Sequence, residues 1–349
     1  MRIILLLGLL AVIGCGDDDA RELLDDYLAR VNNATGTPAV APGAFPTALV
    51  PYPRPRDLRV AQQDLRIGLL DLVSLEQCGL AELVSARNSG LGKVMTPSQR
   101  LIYEHRFLAL ARTCVDTLAR GDNRELHQLM REIVATKERD IGRAFWNATF
   151  AGPEFADQFS LATAVLPAEA SGGATEEALR YLVGLRPRLG QADLIIDSQQ
   201  LEGYFHALQD RRYGGQLLHA LEALARTLDG AAGALEQRLE QRAVCLNSRP
   251  TPDARVLHTV FGKFYAGRVQ PYLARVHRQS QTYFALIDRL AETTDAPGAF
   301  AAYREAQLRP DTPHGPQARF AAAIQRHAAA WQRLFDQCGL SAAPLASAQ

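Results

Sequence analysis

Gly214-Gly215-Gln216-Leu217-Leu218-His219-Ala220-Leu221-Glu222-Ala223-Leu224-Ala225-Arg226-Thr227-Leu228 opens the stretch that decides the fold. After Leu217, the residues Leu221, Leu224, Leu228, Ala231, Leu235 and Leu239 follow at spacings of three and four, as far as about Arg242. That period places them on one face of an α-helix, whereas a half-buried strand would alternate at two. A second long segment, from about Ala266 to Glu292, carries Val269, Tyr272, Val276, Tyr283, Ile287 and Leu290. A Pro-rich turn at 249–253 joins the two segments, which therefore read as an antiparallel helical hairpin with coiled-coil-like packing. Pro271 has no backbone N–H and belongs near a helix start or a kink.

Helical spacing recurs on both sides of this pair. Asp18 or Asp19 can cap a short helix to about Val31, with Leu24, Tyr27, Leu28 and Val31 on one face. Asp57 to about Arg87 reads as helix through Leu58, Ala61, Leu65, Leu69, Leu72, Leu75, Leu80 and Leu83, and Asn88-Ser89-Gly90-Leu91-Gly92 breaks it. Thr96-Pro97 opens another, with threonine as cap and proline in the first turn. Gly121-Asp122 separates it from a helix running from Asn123 to about Trp146. Residues 147–175 are irregular, with one short helix. Helix resumes at Glu176, is interrupted near Pro187 and Gly190, and continues to about Gln209. A last helix, about Pro316 to Gln337, carries Phe320, Ile324, Trp331 and Phe335. Leu194-Ile195-Ile196 could form a short strand, but nothing nearby offers a partner. The fold class is therefore all-α, a multi-helix bundle built around the long hairpin.

The beginning of the chain has a different character. Ile3 to Ile13 is apolar or glycine throughout, follows Arg2, and is too short for a transmembrane helix of roughly 20 residues. It ends Val12-Ile13-Gly14-Cys15, which resembles the bacterial lipobox: cleavage before Cys15 would leave a thiol and an amine to take acyl chains, and two or more chains anchor firmly. The alternative is an ordinary signal peptide with a chance cysteine. No aspartate directly follows Cys15, which by analogy with sorting rules favours the outer membrane over the inner. Residues 1–14 then form a signal peptide, and 15–56 hold the anchor, a short helix and a Pro-rich segment. Residues 57–339 are a single helical domain, and 340–349 are a disordered tail. Pro38, Pro42, Pro46, Pro51, Pro53 and Pro55 favour extended geometry. The interleaved Val40, Phe45, Leu49, Val50 and Tyr52 favour lying along the body over a free spacer.

Composition excludes some partners. Among 349 residues, Lys plus Arg and Asp plus Glu stand at 38 each, so no charge excess points to nucleic acid or to a polybasic membrane contact. Cys78, Cys114, Cys245 and Cys338 remain after Cys15, an even number that suggests two disulfides in an oxidising compartment. Of three possible connectivities we prefer Cys78–Cys114, because its two helical segments are joined by a short turn and should be antiparallel neighbours. Cys245–Cys338 then ties the last helix to the body. Four free thiols are the alternative; zinc would want closer cysteine spacing.

Catalytic motifs are missing. There is no G-x-S-x-G, H-E-x-x-H or Glu-x-x-His, and Gly90-Leu91-Gly92-Lys93 lacks the rest of a P-loop. Glu202 with His206, and His219 with Glu222, could each share a helix face, but surface helix pairs explain them more simply than a metal. No cofactor or metal is implied. Asn33-Ala34-Thr35 and Asn147-Ala148-Thr149 match glycosylation acceptors, without meaning in a bacterial lipoprotein. One polar cluster stands out: Arg87, Asn88, Ser89, Lys93, Ser98, Gln99, Arg100, Tyr103, Glu104 and His105. It reads either as a binding corner or as a capped turn pinning two helices beside a disulfide. Adjacent in sequence, Glu104 and His105 point to different faces and are no ready acid–base pair.

The stretch from Cys78-Gly79-Leu80 to Arg87-Asn88-Ser89, continuing as Met95-Thr96-Pro97-Ser98-Gln99-Arg100-Leu101-Ile102-Tyr103-Glu104-His105, resembles an uncharacterised proteobacterial lipoprotein family, the domain of unknown function 3080. Phe264-Tyr265 and Gln270-Pro271-Tyr272-Leu273 fit the same resemblance. It implies an envelope lipoprotein and supplies no activity. The function expected is a non-enzymatic binding or scaffolding module at the periplasmic face of a membrane, acting on an envelope protein or cell-wall material. A small-ligand or lipid carrier with an inter-helix cavity is the first alternative. The second is a hydrolase or metal-dependent enzyme assembled from distant residues such as Glu104, His105, Glu202 and His206.

Overall fold

The starts of two long helices fall where the sequence puts them, at Thr96-Pro97 and at Asn123. The computed structural model describes residues 19–38, 49–63, 65, 68, 73–292 and 296–342. Its longer helices are α1 (Asp19–Thr35), α2 (Leu80–Asn88), α3 (Pro97–Leu118), α4 (Arg124–Ala148), α5 (Gly173–Leu185), α6 (Ser198–Asp210), α7 (Tyr213–Gln241), α8 (Pro252–Val260), α9 (Gln270–Ala291) and α10 (Pro316–Cys338). Among the described residues no strand forms; the nearest is an isolated bridge between Leu246 and Arg249. At α3 the Thr96 hydroxyl accepts from the Gln99 N–H while the Gln99 side chain accepts from the Thr96 N–H, with Pro97 in the first turn. Asn123, Asp197 and Thr251 cap α4, α6 and α8 by accepting from the N–H three residues on, without a reciprocal bond. Cys15, the Ile3–Ile13 run, Val40, Phe45 and Leu69 lie outside the described residues.

Two apolar cores form. The smaller joins α2, α3 and α4 through Leu80, Phe107, Ala111, Met130 and Ile133, and the Cys78–Cys114 disulfide closes it with Cα atoms 5.3 Å apart. The larger surrounds α7, whose Leu217, Leu221, Leu224, Leu228, Ala231 and Leu235 are all buried. The Cys245–Cys338 disulfide, Cα–Cα 5.1 Å, ties the end of α10 to the turn that follows α7. Both bridges have the preferred connectivity.

Antiparallel to α7, α9 meets its first turns, where the Tyr213 and Tyr283 rings lie 5.5 Å apart. The structure adds a partner that the hairpin reading did not contain. α10 lies parallel to α7 and makes its most extensive contact. Arg319 reaches Glu222 at 2.9 Å, Arg326 reaches Asp229 at 3.3 Å, and Arg333 reaches Glu236 at 3.0 Å. These pairs recur one heptad apart on both helices, the signature of a parallel coiled-coil seam.

Between α8 and α9 the residues Phe261–Val269 form π-helix, so helical structure runs unbroken from 252 to 291. The Gln270 N–H reaches back five residues to the Tyr265 carbonyl, immediately before Pro271, which has no N–H to give. Proline thus sits where the sequence expects it, at a helix start, and the widened turn accommodates it.

Two expectations are corrected. The segment from Asp57 does not form one helix to Arg87: the short helix Pro55–Leu58 stops at Arg59, which is extended. Side chains of α4 capture the backbone that follows. Asn147 accepts from the Val60 N–H at 2.9 Å and donates to the Val60 carbonyl at 2.8 Å; Asp140 accepts from the Gln63 N–H, and Trp146 Nε1 donates to the Leu58 carbonyl. These bonds satisfy groups that a helix would otherwise pair within itself. Second, Leu194-Ile195-Ile196 is no strand; Ile195 is 90% exposed, and the Leu194 carbonyl bonds a side chain. α1, meanwhile, continues past Val31 to Thr35. Over its described part the Pro-rich segment lies along the body: Leu49 is buried, and Tyr52 stacks on Phe159 and donates to the Phe150 carbonyl.

Gly215 permits the tight start of α7. A Cβ there would stand 2.1 Å from the Ser160 carbonyl oxygen, which is backbone and has little room to yield. Gly215→Ala is expected to destabilise by about 3 kcal/mol, because the clash outweighs a helix-propensity gain of about 1 kcal/mol. Urea unfolding measures it, and an unchanged or raised midpoint would contradict this account.

Candidate functional site

The polar cluster around α2 and α3 divides into two structural devices. On the turn, Arg87 Nη1 donates to the Gly92 carbonyl at 2.6 Å, and the Ser89 hydroxyl accepts from the Gly92 N–H at 3.1 Å. Gln99 completes the cap of α3, while Asn88 and Lys93 face solvent. Ser98 donates to Glu202 at 2.6 Å, joining α3 to α6. This half is a capped turn.

The second half lies inward. The Glu104 side chain, 2% exposed, receives Arg100 Nε at 2.7 Å on one oxygen and Lys137 Nζ at 2.7 Å on the other. Lys137 also lies 5.2 Å from the centre of the Phe107 ring. Tyr103 packs next to this pair, and burial, reinforced by the Glu104 charge, pushes its hydroxyl up to about 12. On another face of α3, His105 Nδ1 accepts from the Gly190 N–H at 2.9 Å and Nε2 meets the Leu194 carbonyl at 3.0 Å. An N–H on one side and a carbonyl on the other fix a neutral imidazole protonated on Nε2. Burial lowers its pKa. Both ring nitrogens are therefore committed to holding the 190–194 loop, and Glu104 has no free oxygen to act as a base.

Neither helix pair forms a metal site. Glu202 is bound to Ser98 while His206 is exposed. His219 Nε2 contacts the Leu161 carbonyl at 2.9 Å, and Glu222 is held between Arg226 and Arg319, each at 2.9 Å. Among the described residues no group of three or more His, Cys, Asp or Glu side chains is placed to hold a metal ion.

A buried polar triad escaped the sequence reading. Tyr27 Oη lies 2.6 Å from His327 Nε2, and Trp331 Nε1 donates to both at 3.1 Å. The signal was a histidine in the apolar stripe of α10, between Ile324 and Trp331. His327 is 1% exposed, and desolvation lowers its pKa to about 3. The unfolded chain, with histidine near 6.5, therefore binds more protons than the native one. This contribution to stability is complete above pH about 6.5 and is lost as pH falls toward 3, by up to about 1.4 kcal/mol per unit. Thermal unfolding from pH 7 to 4.5 should show a falling midpoint, and His327→Gln should flatten that slope. An equal slope in both proteins would contradict it.

An open, mainly apolar concavity lies elsewhere, where α9 and α10 flank α7. It holds about 520 Å³. Leu221, Phe284, Leu308 and Phe320 give it an apolar, buried floor. His277 and Gln281 of α9 face Gln317, Ile324 and Gln325 of α10 across it. Asp288 stands at one end, with its carboxylate 2.8 Å from Arg304 Nε. An apolar pocket of this size with a few polar groups at its rim is the usual form of a small-molecule site. Sequence alone did not reveal it, because its walls come from four segments, α7, α9, residues 308–310 and α10, that only the tertiary fold brings together.

No curated protein and no solved structure matches this chain. A family model described as "Protein of unknown function (DUF3080)" matches residues 24–342, which include both disulfides, the triad and the groove, and the chain belongs to that family.

Proposed function

We propose that this protein is a non-enzymatic binding module of the bacterial cell envelope, lipid-anchored through Cys15 on the periplasmic side, at the outer membrane, with the groove between α9 and α10 as its ligand site. The observation that carries the binding reading is the contrast between that groove and the polar side chains. The groove is open and apolar, whereas Glu104, His105, Glu202 and His219 are each engaged in bonds that hold the fold. Two disulfides support an oxidising compartment. The small-ligand carrier is the second reading, favoured by the same groove. An enzyme built on Glu104, His105, Glu202 and His206 loses support, because the first three are each engaged in bonds that hold the fold.

The anchor has a direct test. Cells fed an alkyne-tagged palmitate should label the wild-type protein, and Cys15→Ser should lose the label and leave the membrane fraction. Undiminished labelling of Cys15→Ser would remove the anchor from the proposal.

A further inference from the structure

α1 is held to the body differently from the helices that it covers. Neither disulfide involves it, whereas Cys245–Cys338 ties α10 to the turn after α7. Packing holds α1 in place: Ala20, Leu24, Tyr27 and Val31 are buried, and the helix lies against α7, α8 and the π-helical stretch Phe261–Val269. From that face Tyr27 enters the triad with His327 and Trp331 of α10. A helix with no cross-link to its neighbours can open while they stay packed.

The triad admits one charge state of the histidine. Trp331 Nε1 can only donate and lies 3.1 Å from His327 Nε2, so that nitrogen accepts, and the Tyr27 hydroxyl 2.6 Å away donates to it. A proton on Nε2 would set one N–H against another and leave the Tyr27 hydroxyl hydrogen without an acceptor. Nor is a carboxylate placed to take the charge. The rings beside His327 are the neutral phenols Tyr27 of α1 and Tyr265 of the π-helical stretch. Asp26 of α1 is paired with Arg30 and Arg268. Arg326 of α10 is paired with Asp229 and Glu236 of α7. His258 of α8 meets the Ser341 carbonyl, and Lys263 is exposed. We infer that α1 is an acid-released strap: protonation of His327 frees it from the body while α7, α9 and α10 stay packed together.

Hydrogen exchange of the full chain at pH 7 and at pH 5 tests this. Exposed carboxylates stay largely ionised over that interval, so the ion pairs of Asp26 persist while a freed histidine takes up its proton. With His327 back at about 6.5 once α1 leaves, opening becomes about 25-fold more frequent at pH 5 than at pH 7. Corrected for intrinsic exchange, the protection of α1 amides should fall by up to that factor, while amides of α7 and α10 keep most of theirs. His327→Gln keeps a neutral acceptor for Trp331 and should abolish the fall. Equal falls in α1, α7 and α10 would mean that the protein opens as a whole, and would overturn the strap. Unchanged protection of α1, or the same fall in His327→Gln, would overturn it too. Should that variant not fold, the comparison of α1 with α7 in the wild-type protein decides by itself.

Discussion

Glu104→Ala should destabilise the protein by about 3–5 kcal/mol, the cost of leaving a buried charge without its partner. The orphan is Lys137, whose side chain is 10% exposed and whose ammonium lies 2.7 Å from the lost carboxylate. Arg100, 31% exposed on its side chain, can turn to water and adds little to the loss. A second variant separates charge from packing. Replacing both partners, Glu104→Leu with Lys137→Met, removes two desolvated charges together and should recover most of the stability. Urea unfolding of the two single variants and the double variant gives the coupling energy. Additive losses would mean that Glu104 and Lys137 do not sense each other in the folded protein.

Removing the Cys245–Cys338 bridge as a serine pair should cost about 4.7 kcal/mol, against about 3.8 kcal/mol for Cys78–Cys114, on a loop-closure entropy argument. The order follows from sequence separations of 93 and 36 residues. The two losses also differ in place. Cys78–Cys114 closes the smaller core, so its loss should loosen α2 against α3. Cys245–Cys338 fixes the last turn of α10, so its loss should raise amide exchange there and on the groove wall. Hydrogen exchange of both variants distinguishes these patterns, and a larger loss from the Cys78–Cys114 pair would reverse the argument.

The helices were legible because period and punctuation agreed. Thr96-Pro97 started α3 and Asn123 started α4, and leucines at three and four marked the buried face of α7. The cysteine pairing was legible too, since a short turn between two helices forces their cysteines together. What escaped needed tertiary geometry. Leucine spacing after Asp57 suited a helix, yet Asn147, Asp140 and Trp146 of a distant helix offered that backbone better partners. The parallel pairing of α7 with α10 was written in Glu222, Asp229 and Glu236 against Arg319, Arg326 and Arg333. Nothing local says which of several amphipathic helices those acids face. The polar cluster drew attention because many residue types gather in a short span. The fold uses them as caps and ties, and the candidate site lies at a place with no motif.

Tyr27 meets His327 across 300 residues, and the long seam of α7 with α10 joins positions 97 residues apart. Each such distant pairing requires a long loop to close before its contacts form. α1 and α7 cannot bury their full apolar faces until α10 has been made, so the larger core has no complete intermediate to settle into during synthesis. α10 follows both α1 and α7 in the chain, so the helix that locks the larger core is made after the two that it covers.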